Sequence, residues 1–113
     1  MTLPAPSQIR AEMEINLLRF LCDARSEIVA RRRVLSLMQN YCWSERDSTV
    51  FFESIRLLFE RDPKQILAHL PAELTRRGFP DMPCEILAEP TGLNSTSALA
   101  LAETLVPRSN SEK

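Results

Sequence analysis

Glycine occurs only twice in this chain, at positions 78 and 92, and that scarcity narrows the fold more than any other feature. Tight hairpins and phosphate-cradling loops rely on glycine because it alone enters positive φ at little cost. A sheet-rich fold and a nucleotide-binding loop are both disfavoured. What remains is rich in Leu, Ala, Glu and Arg, which lose little conformational freedom in a helix. With 113 residues, 44% apolar and 26% charged, the expectation is an all-α fold: one compact bundle of four to five short helices.

The apolar periodicity places those helices. Ser7 is positioned to cap a first one, in which Ile9, Met13, Leu17, Phe20 and Leu21 recur at steps of four, four, three and one, tracing one helical stripe. Ile15 and Leu18 widen the apolar side toward a second face, which predicts either cover from more than one direction or a docking strip for a partner. A second helix is expected from Ser26 to about Asn40, burying Ile28, Leu35 and Met38, with Val34 or Leu37 at its flank. Tyr41, Cys42 and Trp43 then lead to Ser44 and Asp47, a capping-box-like start for a third helix. Phe51, Ile55, Leu58 and Phe59 share a stripe there, so this helix is the candidate for the centre of the core, with Trp43 over its start.

Asp62-Pro63 reads as a further helix start, with Ile66, Leu67 and Leu70 inward. Pro71 should end that helix and open a shorter one from Ala72 to Arg77, closed by Gly78 in left-handed conformation with Phe79 following. Beyond Phe79, Pro80, Pro83, Pro90 and Gly92 interrupt the chain. The expected division is a helical bundle over residues 7–79 and a Pro-containing C-terminal extension over 80–113. In that extension Cys84 to Leu87 can pack back on the bundle, a weakly amphipathic helix is possible from Asn94 to Val106, and the last seven residues are expected to be disordered.

Charge is unevenly spread. Residues 1–78 carry twelve Arg/Lys against ten Asp/Glu, and residues 79–113 carry two against five. Twelve of the fourteen basic residues are arginine, which suits bidentate pairing with carboxylates or phosphates. Arg31, Arg32 and Arg33 are consecutive and so fan out over about 300° of a helix rather than forming one flat face; at least one must snorkel or pair with an acid. Two readings remain open for them: a solvated helix side, or a contact with an acidic partner or phosphate.

Catalytic signals are thin. His69 is the only histidine, so a relay would need a serine or cysteine to meet it in space. Its place before Pro71 predicts instead a helix-terminus histidine facing carbonyls. Glu12 and Glu14 lie about 200° apart on a helix and are expected to be surface charges. Cys22, Cys42 and Cys84 are odd in number and widely spaced, which suits neither a disulfide framework nor a zinc site; they read as free thiols packed in the interior. No cofactor, metal or enzymatic role is expected. No apolar run approaches the ~20 residues of a membrane span and no basic-then-apolar leader opens the chain, so a cytoplasmic protein without membrane contact is expected.

The run Pro6-Ser7, Ala11-Glu12, Ile15, Leu17, Leu18 and Leu21, followed by Trp43 and the segment Val50-Phe51-Phe52-Glu53-Ser54-Ile55 with Leu58, resembles the N-terminal helical domain of bacterial replicative DNA helicases and the related helicase-binding domain at the primase C-terminus. The resemblance covers residues 6–61, and Ser48 stands where that family usually has a histidine. The chain has no Gly-x-x-x-x-Gly-Lys-Ser/Thr loop to cradle phosphates, so the resemblance implies a standalone adaptor rather than a motor. Three functional readings follow. One is a non-catalytic protein-interaction module, associated with DNA replication, that docks a protein partner or a second copy through Ile15 and Leu18. Another is a nucleic-acid-associated regulator using Arg31, Arg32 and Arg33 with Arg76 and Arg77. The last assigns no role beyond that of a small helical domain.

Overall fold

A computed structural model describes the backbone of residues 6–110 and the side chains of residues 9–106. Five α-helices make up the described fold: α1 (Pro6–Cys22), α2 (Ile28–Leu37), α3 (Arg46–Arg61), α4 (Ile66–Arg76) and α5 (Ser95–Asn110), with a 3₁₀ turn at Cys84–Leu87 before the last. No strand occurs among the described residues. The fold is all-α, as the glycine scarcity and the stripes require.

Helix α3 is a principal wall of the core. Phe51, Phe52, Ile55, Leu58 and Phe59 are all buried along it, and the Trp43 ring lies 5.1 Å from that of Phe52 at its start. The start itself differs from the expectation. Glu45 is the N-cap residue and makes no side-chain cap, because Ser44 turns its hydroxyl to another group described below. Neither Ser26 nor Asp62 caps a helix: α2 begins after Glu27, and the Asp62 carboxylate accepts the Lys64 N–H at 3.2 Å in a turn ahead of α4. The side chain of Ser7 lies outside the described residues.

Pro71 does not end a helix. It sits within α4, although its ring removes a donor and crowds the preceding turn, a penalty of about 3 kcal/mol in a helix interior. Ile66, Leu70 and Leu74, each no more than 1% exposed, fall on one stripe spanning the proline, and their burial outweighs that penalty. His69 consequently occupies the middle of a continuous helix rather than its end. The far end follows the sequence closely. Gly78 has φ 96°, its N–H donates to the Thr75 carbonyl at 3.0 Å and the Phe79 N–H to the Leu74 carbonyl at 2.8 Å, the paired bonds of a Schellman closure. An added Cβ at Gly78 would meet nothing within 4 Å, so Gly78→Ala carries conformational strain without a clash. We expect it to lower the unfolding free energy by about 1 kcal/mol, read from the midpoint of urea unfolding; an unchanged midpoint would contradict this account of the helix end.

The boundary expected after Phe79 is not a boundary in the packing. Leu87, Ala98 and Ala102 belong to the same buried cluster as Leu17, Phe51 and Leu70. The segment after the bundle is tied down by polar contacts as well: Arg19 Nε donates to the Ile86 carbonyl at 2.7 Å, the Gly92 N–H to Asn16 Oδ1 at 3.2 Å, and Ser95 Oγ to Glu27 Oε1 at 3.0 Å. Asn94 and Ser97 close the start of α5 reciprocally. The Ser97 N–H donates to Asn94 Oδ1 at 2.8 Å and the Asn94 N–H to Ser97 Oγ at 2.9 Å. The small side chains that made this helix look weak let it lie close on its neighbour, since Ala98, Ala102 and Ala30 of α2 are all buried and the α2–α5 pairing is the most extensive among the described residues. Helix α5 continues to Asn110, into the stretch expected to be disordered; residues 111–113 lie outside the described backbone.

Candidate functional site

The residues singled out from the sequence separate in space. Leu18 is fully buried and Ile15 packs against the core, because α1 is covered by α2, α3, α5 and the 3₁₀ turn together. They cannot form a docking strip. The exposed apolar side chains of α1 are Ile9 and Met13, at 40% and 38% exposure, which the stripe had assigned to the core.

The three consecutive arginines do three different things. Arg31 is wholly buried: Nε and Nη2 donate to the Leu21 carbonyl at 3.0 and 2.8 Å, and Nη2 also to the Pro63 carbonyl at 2.6 Å. Its guanidinium carbon lies 5.1 Å from the Phe59 ring centroid and Nη1 finds no acceptor among the described residues. Burial pulls this group below the ordinary guanidinium range, partly offset by Cys22 and Asp23. Arg32 also lies over the Phe59 ring, at 5.1 Å, and pairs at the surface with Glu60 at 3.8 Å. Arg33 is left exposed. No shared basic face is formed.

A second buried polar cluster went unrecognised in the sequence. Glu14, expected at the surface, is fully buried and its carboxylate accepts from the Tyr41 hydroxyl at 2.6 Å, from the Ser44 hydroxyl at 2.6 Å and from the Ser44 N–H at 3.2 Å. Arg10, one turn earlier, stands 3.3 Å from the same carboxylate and donates to the Tyr41 hydroxyl at 2.9 Å and the Cys42 carbonyl at 2.8 Å. Burial, and then the bond to Glu14, push the Tyr41 phenol up to about 12. The cluster fastens the α2–α3 connector to α1. Its one advance signal was the four-residue spacing of Arg10 and Glu14.

The thiols differ in exposure. Cys22 is buried and pushed up to about 12 by burial, Cys84 is half-buried, and Cys42, expected inside, is exposed. Among the described residues no group of His, Cys, Asp and Glu is arranged to hold a metal ion, and no helix is long and apolar enough to cross a membrane.

Among the described residues one hollow of about 360 Å³ opens between the ends of α1 and α4, where Arg19, Cys22, Arg25, Lys64 and Leu87 line it, and a second is a groove of about 310 Å³ between α3 and α4, lined by Leu58, Arg61, Asp62, His69, Ala72, Glu73 and Arg76. Leu58 is buried beneath it, while Arg61, His69, Ala72 and Arg76 are exposed around it. Glu73 is buried. Arg76 at 2.7 Å, and then Arg77 at 3.2 Å, hold its carboxyl below the usual range, and Arg77 reaches on to Glu53 at 3.7 Å. No hydroxyl or thiol lines the groove, and His69 makes no hydrogen bond to either carboxylate among the described residues. The groove therefore lacks the nucleophile and oriented base of a hydrolytic relay. Its components are an apolar floor and a rim of guanidinium groups with the His69 ring and the Asp62 carboxylate. Compared with known proteins, the chain matches no family model, no curated protein and no solved structure.

Proposed function

We propose that this chain is a non-catalytic interaction module that docks a protein partner in the α3–α4 groove. The observation that carries this reading is the pairing, in one concave surface, of a buried leucine floor with exposed arginines and neither a hydroxyl nor a thiol. Recognition sites combine apolar contact area with a few placed polar groups in this manner. The resemblance of residues 6–61 to helicase and primase interaction domains supports a replication-associated adaptor, and the three free thiols suit a reducing, cytoplasmic setting. A nucleic-acid role loses its main support once Arg31 is inside the protein and Arg32 is paired.

The test places a photo-crosslinking amino acid at Ala72, beside the groove, or at Ala100, on the exposed side of α5, in cells that encode the protein. Irradiation is expected to give a discrete protein adduct from position 72 and none from position 100. Adducts from both, or from position 100 alone, would defeat the assignment of the groove, and no adduct from either would defeat the reading as a module.

A further inference from the structure

Taking the α3–α4 groove as the docking site, we infer that its occupant is an acidic peptide segment anchored by one large apolar side chain. The inference comes from which charges at the groove remain uncommitted. Of the two acids, Glu73 is spent, being buried and holding two arginines, while the half-buried Asp62 carboxylate accepts the Lys64 N–H and keeps its charge at the edge of the groove. The cations are not spent. Arg61 is exposed and forms no ion pair among the described residues. Arg76 is 63% exposed at its side chain and gives a single Nη2 contact to Glu73, leaving most of its donors free. His69, also exposed, adds a ring nitrogen to the same rim. Formal charges in the lining balance, yet what faces solvent is mainly donor groups.

Those donors ask for carboxylates, which guanidinium groups meet with two parallel bonds. The floor asks for something else. Leu58 and Ala72 offer apolar contact that a phosphate backbone would not use, and about 310 Å³ is room for one large side chain. An acidic segment with an embedded leucine or phenylalanine satisfies both demands. An oligonucleotide satisfies only the rim.

The experiment titrates the isotope-labelled full chain with the blocked peptide DELFED, its uncharged counterpart NQLFQN, or a single-stranded hexathymidylate, following backbone amide resonances. Saturable shifts at Arg61, His69, Ala72 and Arg76 are expected with DELFED alone. Affinity should fall about tenfold for NQLFQN and for Arg61→Gln, the loss of a charge-assisted bond, and stay unchanged for Arg33→Gln. Equal binding of NQLFQN would overturn the acidic occupant while leaving the docking site in place. Stronger shifts from hexathymidylate, shifts away from the groove, or no shift with DELFED would each overturn it as well, and the crosslinking result at position 72 stands or falls separately.

Discussion

Arg31→Ala is expected to lower the unfolding free energy by about 4 kcal/mol, a large part of the 5–15 kcal/mol typical of a domain. The Leu21 carbonyl belongs to the last turn of α1, where helix carbonyls have no donor of their own, and Arg31 supplies two. The same guanidinium bonds the Pro63 carbonyl ahead of α4 and rests on Phe59 of α3. Truncation would strand two acceptors, each worth about 1–3 kcal/mol when left buried and unpaired, and empty the largest fully buried side-chain site among the described residues. The cation has no buried carboxylate partner, and its site at the negative end of α1 offsets only part of its desolvation. Arg31→Met, which keeps most of the volume and donates nothing, should therefore fall between, at about 2 kcal/mol. Urea unfolding of the three proteins checks this. A loss below 1 kcal/mol for Arg31→Ala would mean that the desolvation of Arg31 cancels its bonds.

Glu14→Gln is expected to cost about 3 kcal/mol by the same measurement. Each contact to Glu14 is a donor aimed at an anion: two hydroxyls, the Ser44 N–H and the Arg10 guanidinium. An amide is the same size but turns a donor of its own toward this set, where at least one donor must lose its acceptor. A second readout follows from Tyr41. Its phenol lies above the ordinary value of 10.0, at about 12, through burial first and the Glu14 interaction next. A raised phenol pKa in the folded state means that its contribution to stability is complete below pH 10 and is lost as the pH climbs through about 12. Removing the Glu14 charge should shift phenolate formation toward lower pH, visible in ultraviolet absorbance. An unmoved titration together with an unmoved unfolding midpoint would show that the carboxylate does not act on Tyr41.

How much of this was legible in the sequence depends on distance along the chain. Where the cause is local, the reading was sound: the α3 stripe of Phe51, Ile55, Leu58 and Phe59 points inward, and Gly78 closes α4 in left-handed conformation. Pro71 shows a local rule overridden, because burial of Leu70 and Leu74 on both sides of it is decided by the rest of the bundle. The polar clusters lie further beyond reach. Glu14 meets partners 27 and 30 residues away, and Arg31 meets Pro63 at a separation of 32. On a helical wheel each resembles a charge bound for solvent. Only the four-residue spacing of Arg10 and Glu14 hints locally at a partner, and it does not mark either charge as interior. The groove was hidden for a related reason: once Pro71 was taken as a helix end, His69, Ala72 and Arg76 were assigned to different elements, and their common face with Arg61 did not arise.

The close seating of α5 on α2 also has a bearing on the order in which the protein can form. On a ribosome, α2 emerges well before the segment that covers it, so the surface around Ala30 stays wet until α5 has been made; α5 is then part of the core and not a tail appended to it.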